Sequence, residues 1–322
     1  MKALAILAIV ALAAGSVAAQ KKAYTPARTP WGDPDLQGTF TNKDENGIPL
    51  ERPAQFEGRT IEDVKAAELA QLVRQRSEEG EKRAAGIGGE DTGAGPVHWY
   101  EYYGAKNSRP WMISEPADGR IPPATPEAQA RSAAVTRALR SHGEADSADV
   151  RSLYDRCITR GVPGSMMPAI YGNSYQIVQA PGYVAIRYEM IHETRIIPLD
   201  RRPHVGEAIR TYMGDPRGRW EGNTLVVETT NFNGKNAADV AGYGSPDRGA
   251  TPNLHVVERF TPAGPNVIEW SVTQEDAATW PRPWTFAMNL AKDDTQGVFE
   301  YACHEGNYGL TNILSAARAE EK

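Results

Sequence analysis

The feature that most constrains the fold is a run of extended segments that fills the chain from about residue 170 onward. These segments are rich in β-branched and aromatic residues, and the breaks between them carry Gly, Pro, Asn and Asp. They are Ser174–Val178, Tyr183–Ile197, Thr224–Phe232, His255–Thr261, Asn266–Gln274, Thr285–Leu290 and Val298–His304. Because no helical pattern separates them, they favour an antiparallel barrel or sandwich. Of the two, we predict an antiparallel β-barrel over residues 151–322.

Residues 20–150 show a different pattern. Their first part is an extended, turn-rich arm with prolines at positions 26, 30, 34, 49 and 53. Two helices are predicted after it. One starts at Thr60, where Thr60-Ile-Glu-Asp63 resembles a capping box, and the other opens at Pro126 and runs to about Arg140. We expect the arm and the two helices to pack on the barrel as one cooperative unit, in a mainly β protein that is α+β overall.

Residues 1–19 predict a cleaved signal peptide. Lys2 precedes the apolar run Ala3–Ala14, and small residues then lead to the expected cleavage position after Ala19. The apolar run is too short to span a bilayer, which takes about 20 residues. The mature protein is therefore expected in the periplasm or outside the cell, without membrane insertion after cleavage.

Charge and motif content exclude several function classes. The net charge is −6 and the sequence has no basic stripe, so nucleic acid is not an expected partner. The chain also lacks a Gly-x-Ser-x-Gly elbow, a phosphate-binding loop, a dinucleotide fingerprint and a haem-attachment motif. We therefore expect a small-molecule substrate or ligand and no organic cofactor. The sequence does not indicate an oligomeric state.

The chain has 2 cysteines, Cys157 and Cys303. In an oxidising compartment an even number of cysteines favours a disulfide over free thiols. On the chain-entropy model, closing a loop of this length stabilises the fold by roughly 4–5 kcal/mol. We predict a Cys157–Cys303 disulfide that ties the start of the barrel region to its last predicted strand.

The densest polar cluster within a predicted strand is Tyr188–Arg195. If Tyr183–Ile197 is one strand, alternation places Tyr188 and His192 on a buried face and Glu193 and Arg195 on the opposite face. One interpretation is a solvated face of ion pairs, with His192 hydrogen-bonded inside. The other places a catalytic site here, with His192 as the proton-transfer residue because imidazole titrates near neutral pH. Glu193 would then orient a histidine, and Arg195 would hold an anionic group.

A second candidate cluster is His304-Glu305, at the end of the last predicted strand. His304 could serve as a second acid or base and Glu305 could orient a histidine, because strand ends of barrels are where ligand sites often open. The alternative is a histidine that only caps the strand end.

Candidate substrate-binding residues are Tyr188, His255, Trp280 and Trp284. The segment Trp280-Pro-Arg-Pro-Trp284 is a stiff aromatic loop that could cover a pocket mouth and stack on a flat ligand, or else pack as part of the core. No zinc motif of fixed spacing occurs, so no metal ligand is assigned. Convergence of His192, His255 and His304 from three strands is the open alternative.

The motifs taken together resemble an uncharacterised family of secreted bacterial proteins. The residues that carry the resemblance are Asp33-Pro-Asp-Leu-Gln-Gly-Thr39, Leu50-Glu-Arg-Pro53, Arg156-Cys157, Glu189-x-x-His192-x-x-Arg195, Gly214-Asp-Pro-Arg-Gly-Arg-Trp-Glu-Gly222 and Ala302-Cys-His-Glu-Gly-Asn-Tyr308. The resemblance covers most of the mature chain, which implies one unit rather than two independent domains. It implies no catalytic residues. The hairpin segment Gly218–Val227 is also similar to those of lipocalin-type barrels.

Two functional hypotheses follow. In the first, the protein is a secreted or periplasmic enzyme of hydrolase, lyase or isomerase type that acts on a small organic molecule by acid–base chemistry. In the second, it is a periplasmic carrier of an apolar or aromatic small molecule. An enzyme requires at least two of His192, His255 and His304 to meet in one concavity, whereas a carrier requires an apolar pocket.

Overall fold

The computed structural model describes residues 24–86, 106–141, 143, 145–169, 171–235, 251–295 and 297–321. The predicted signal peptide, residues 1–19, lies outside the described residues. Within them, no helix is both long enough and apolar enough to cross a membrane.

Ten strands form one sheet in which every pair is antiparallel. In chain order they are β1 Gly38–Thr41, β2 Ile113–Glu115, β3 Ser174–Ala180, β4 Tyr183–Tyr188, β5 Thr194–Pro198, β6 Asp215–Glu221, β7 Thr224–Thr230, β8 His255–Gly264, β9 Val267–Glu275 and β10 Trp284–Lys292. Their spatial order is β5-β4-β3-β1-β10-β9-β8-β7-β6, with β2 paired to β10 off this path. The chain therefore builds two meanders, β3 to β5 and β6 to β10.

The sheet curls into a nearly closed barrel, which confirms the predicted fold class. The two ends of the strand path, β5 and β6, meet at Gly218. A Cβ atom on Gly218 would lie 2.5 Å from Leu199 Cδ2 and 2.8 Å from Ile197 Cγ2, so only glycine lets the two strands approach this closely. The path contains nine strands whose directions alternate, so the first and the last, β5 and β6, point the same way. They therefore run parallel where they meet, and we call this junction the seam.

The extended arm supplies part of the barrel wall. β1 lies between β3 and β10, with Phe40 opposite Tyr175 on one side and Lys292 on the other. Phe40 is buried in the main core. The sequence did not predict this strand, since four residues in a turn-rich context show too little alternation.

The barrel interior is filled by large side chains that alternate along the strands. On β9, Ile268, Trp270, Val272 and Gln274 are buried, as the period of two requires. The rings of Trp270 and Phe286 pack edge to face with centroids 5.7 Å apart, and Phe260 lies 6.4 Å from Trp270. Aromatic side chains from β8, β9 and β10 therefore form the centre of the core.

Three α-helices in the described part of the chain lie outside the barrel: α1 Ala66–Gly86, α2 Pro126–Ser141 and α3 Gly309–Glu320. The first two confirm the predicted helices. The Thr60 motif opens a 3-10 turn, Ile61–Asp63, in which the Thr60 N–H donates to Asp63 Oδ2 at 2.8 Å, and α1 then begins. The helix α3, which the sequence analysis did not predict, has no fully buried residue.

The prediction of one strand from Tyr183 to Ile197 is wrong. The chain turns back on itself through the 3-10 turn Met190–His192, so that β4 and β5 form a hairpin. Ile191 and His192 have φ values of 59° and 46°, which end the extended conformation. As a result the predicted faces do not hold beyond Tyr188, because His192 is exposed and Arg195 is buried.

The predicted strand Val298–His304 is also wrong, since residues 297–308 form no strand in the described segment. The position beside β10 that the next strand of the meander would take is occupied by β1. Phe299 is accordingly 66% exposed. Cys303 nevertheless forms the predicted disulfide with Cys157, which attaches the segment to the barrel.

Candidate functional site

One end of the barrel collects most of the candidate residues. At this end β3, β5 and β8 begin and β4 and β9 end. The Cys157–Cys303 disulfide joins two segments here, with Cα atoms 5.7 Å apart. We call it the disulfide end. The buried segment 161–168 lies next to it in the chain and contributes Met166 and Met167 to the core.

The central side chain at the disulfide end is that of Glu193, which directly precedes β5. Thr159 Oγ1 donates a hydrogen bond of 2.7 Å to Glu193 Oε2, and the Arg160 backbone N–H also donates to the carboxylate. Burial raises the pKa of Glu193 above its ordinary value of 4.5, although these two hydrogen bonds and nearby His192 oppose the shift. Glu193 is thus a half-buried carboxyl that holds a proton to higher pH than a solvated one.

The backbone on both sides of this contact adopts an uncommon conformation. Three of the five non-glycine residues with positive φ in the described chain lie here: Cys157 at 54°, Ile191 at 59° and His192 at 46°. The left-handed conformation costs roughly 1–2 kcal/mol per residue, and more for a β-branched residue such as isoleucine. Such conformations persist where the surrounding structure enforces them, and they concentrate at functional sites.

A cluster of three half-buried tyrosines adjoins the Thr159 segment. The hydroxyls of Tyr154 and Tyr171 are 3.4 Å apart, and the rings of Tyr171 and Tyr301 stack with centroids 6.4 Å apart. Burial raises the pKa of both Tyr154 and Tyr301, so these phenols stay protonated and can donate hydrogen bonds. The Arg160 guanidinium lies over the Tyr154 ring, 5.5 Å from its centroid.

The segment that carries Tyr301 joins the tyrosine cluster to the Glu193 turn. His192 Nδ1 lies 2.8 Å from the Tyr301 carbonyl oxygen, which can only accept, so this hydrogen bond requires the tautomer with a hydrogen on Nδ1. Asn307 Nδ2 contacts Cys157 Sγ at 3.4 Å. The disulfide therefore positions the irregular segment 297–308 across one side of the candidate site. His304 and Glu305 belong to that segment, and both are exposed.

Arg195 has a different environment from Glu193, although the two are separated by one residue. Its guanidinium forms an ion pair with Glu258 inside the barrel, where the two side chains are 2% and 0% exposed. Trp270 Nε1 donates to the other carboxylate oxygen of Glu258 at 3.2 Å. Tyr188 lies beside this pair, and burial raises its pKa. The predicted solvated row of charges is therefore wrong for Arg195, which is a core residue.

The predicted substrate-binding residues differ in exposure, since His255 is half-buried whereas Tyr188, Trp280 and Trp284 are buried. His255 is at the start of β8, with Nδ1 3.6 Å from Glu275 Oε2. Trp280 and Trp284 are 2% and 1% exposed, and their rings pack edge to face at 5.5 Å. Of the two alternatives for this aromatic segment, packing in the core is confirmed, because both rings are buried there.

The three imidazoles proposed for convergence form no metal site in the described part of the chain. Hydrogen bonds in the described part of the chain connect His192 to Tyr301 and pair His255 with Glu275, but join no two of the histidines. Among the described residues, no group of three or more His, Cys, Asp or Glu side chains could hold a metal ion.

No sequence pattern singled out five residues of this arrangement: Tyr154, Thr159, Arg160, Tyr171 and Tyr301. The signal available was their position near the two cysteines, since a Cys157–Cys303 disulfide brings the neighbours of both residues together. Comparisons with protein-family models, with curated proteins and with solved structures gave no match. The arrangement itself offers a proton-holding carboxyl, protonated phenols and a guanidinium around one end of a barrel.

Proposed function

We propose that the protein is an extracytoplasmic enzyme that acts on a small organic molecule by acid–base chemistry, with Glu193 as the proton-transfer residue. The observation that carries the proposal is the half-buried Glu193 carboxyl, whose pKa is raised and which lies directly after two left-handed residues. A carboxyl with a raised pKa suits general acid–base catalysis, since proton transfer is most efficient when the pKa approaches the working pH.

The tyrosine cluster supplies the second element of the proposed chemistry. Removing a proton from a substrate, or attacking its carbonyl, places negative charge on a substrate oxygen. Protonated Tyr154 and Tyr301 can donate hydrogen bonds to such an oxygen, and the Arg160 guanidinium adds positive charge nearby. Within this scheme His192 orients the Tyr301 segment rather than transferring the proton itself.

The packing of the barrel supports an enzyme over a carrier of apolar ligands. The aromatic rings of Phe260, Trp270, Phe286 and Trp284 pack on one another in that order, and the ring centroids of each successive pair are 5.7–6.4 Å apart. The extracytoplasmic location rests on the disulfide, which persists in oxidising compartments, together with the predicted signal peptide.

The proposal is tested by metabolite profiling without a known substrate. The mature protein, residues 20–322, is incubated with a small-molecule extract, and all compounds consumed or formed are followed by mass spectrometry. We expect at least one compound to be converted by the wild type and not by Glu193→Gln, which keeps the shape of the side chain. Glu62→Gln, an exposed carboxyl on the turn before α1, is the matched control and should convert the compound at the wild-type rate. Equal conversion by Glu193→Gln contradicts the proposal, as does the absence of any conversion.

A further inference from the structure

One methionine differs from the others of the described chain in its exposure. Met213 is half-buried and packs against the main core, so part of its side chain still meets solvent. The other described methionines have only 0–3% of their surface exposed: Met112, Met166, Met167, Met190 and Met288. Because an oxidant must reach the thioether to react with it, Met213 is the described methionine most open to oxidation.

The sulfur of Met213 contacts the same hydroxyl group that binds Glu193. Thr159 Oγ1 lies 3.3 Å from Met213 Sδ and 2.7 Å from Glu193 Oε2. The Gly161 N–H donates to this hydroxyl at 2.8 Å and holds it between the two acceptors. A hydroxyl has one hydrogen to donate, so the carboxylate and the sulfur compete for it. The carboxylate prevails over the thioether, because a charged oxygen accepts strongly and a thioether accepts weakly.

Hydrogen bonds fix the chain on both sides of Met213. Before it, the Thr211 N–H donates to the Asn231 carbonyl oxygen at 3.0 Å, and Thr211 Oγ1 donates to the Gly214 carbonyl oxygen at 2.8 Å. After it, the carboxylate of Asp215 accepts a hydrogen bond of 2.6 Å from Arg217. The segment therefore keeps the Met213 sulfur beside Thr159, so a change at the sulfur acts on the hydroxyl.

We propose that Met213 is a selective oxidation site, at which a peroxide produces a sulfoxide that takes the Thr159 hydrogen bond away from Glu193. The sulfur lone pair attacks one peroxide oxygen, and the S–O bond forms as the O–O bond breaks. The transferred oxygen gives its proton to the leaving oxygen, which departs as water or an alcohol. Two electrons pass from the sulfur to the peroxide. The product carries a polar oxygen that accepts hydrogen bonds far better than the thioether did.

Loss of the Thr159 hydrogen bond acts on the charged form of Glu193. Among the contacts that lower the pKa of this carboxyl, the Thr159 hydrogen bond is the largest, so its loss raises the pKa further. The other groups that act on the carboxylate are the Arg160 backbone N–H, His192 and Tyr188, and the oxidation alters none of them chemically. The inference goes beyond the proposed function, because the contact responds whether or not Glu193 transfers a proton.

The first measurement tests the selectivity of the oxidation. The mature protein is treated with hydrogen peroxide, and sulfoxide formation at each methionine is followed by peptide mass spectrometry. We expect Met213 to react at least about tenfold faster than any of the five buried methionines in the folded protein. In protein unfolded by urea, Met213 should lose this advantage. A buried methionine that reacts as fast as Met213 in the folded protein overturns the inference.

The second measurement tests the coupling to Glu193. After peroxide treatment, the titration midpoint of the Glu193 carboxyl ¹³C resonance should rise by about 1 pH unit, whereas Met213→Leu, the matched control, should show no rise. Met213→Gln, which replaces the sulfoxide oxygen with an amide oxygen, should raise the midpoint without peroxide.

An unchanged or lowered midpoint in the folded, oxidised protein overturns the inference. If the oxidised protein unfolds, the same result in Met213→Gln overturns it. Neither measurement depends on turnover, so failure of this inference and failure of the proposed enzyme are distinguishable.

Discussion

Replacing both cysteines of the Cys157–Cys303 disulfide with serine is expected to lower the free energy of unfolding by about 5 kcal/mol. The two cysteines are 146 residues apart in the sequence. On the chain-entropy model, a loop of that length removes about 17 cal/mol/K of entropy from the unfolded chain, which amounts to about 5 kcal/mol at 25 °C. Since domains are typically stable by about 5–15 kcal/mol, the loss removes a third or more of the total.

Urea unfolding of the mature protein, followed by tryptophan fluorescence, measures the effect. With a slope of about 2.5 kcal/mol per M, the midpoint should fall by about 2 M in the variant with both serines. Wild-type protein treated with dithiothreitol should show the same fall, whereas the variant should not respond to the reductant. A loss below about 1 kcal/mol would refute the reasoning, because it would mean that the bridge places no constraint on the unfolded chain.

Three other perturbations test separate parts of the structure. Arg195→Met should destabilise the fold by about 3–5 kcal/mol, because it leaves Glu258 buried and unpaired. Adding Glu258→Leu should recover most of that loss in urea unfolding, and a double variant no more stable than the single one would contradict this. Gly218→Ala should cost about 1–3 kcal/mol because its Cβ would collide with the β5 side of the seam, whereas Gly264→Ala, whose Cβ meets nothing within 4 Å, should be nearly neutral; equal effects would place the seam elsewhere. Because folding raises the pKa of Glu193, the wild type loses stability as pH rises through that pKa. The melting temperature of Glu193→Gln, relative to that of the wild type, should therefore be higher at pH 8 than at pH 4. The same difference at both pH values would contradict the raised pKa.

The sequence was sufficient to predict the barrel where alternation is long and regular. The strands β8 and β9 contain 10 and 9 residues, with inward and outward positions alternating through all of β9 and through β8 as far as Pro262, and both were predicted closely. The strand β1 was missed because its 4 residues, Gly38–Thr41, carry no recognisable period. The turn at Ile191 was missed because a β-branched residue in a left-handed conformation runs against local propensity, and only tertiary contacts can enforce it.

The candidate site was predicted in part, for a related reason. Glu193 was identified from the polar cluster around it, but its partner Thr159 is 34 residues away in sequence and shares no pattern with it. The tyrosine cluster depends on the disulfide, which brings Tyr301 to a segment near Cys157. The sequence left open whether Trp280 and Trp284 cover a pocket or pack in the core, because the prolines between them indicate a loop, and the structure places both rings in the core.

The pKa of Glu193 in the folded protein is the measurement that tests the central claim most directly. It can be obtained from the pH dependence of the side-chain carboxyl ¹³C resonances in glutamate-labelled mature protein, with Glu193→Gln to assign the signal. We predict a midpoint above 4.5 for Glu193, and a lowered midpoint for Glu221, which accepts hydrogen bonds from two arginines. A Glu193 midpoint at or below 4.5 would show a solvated or fully paired carboxylate, and would contradict its role as the proton-transfer residue.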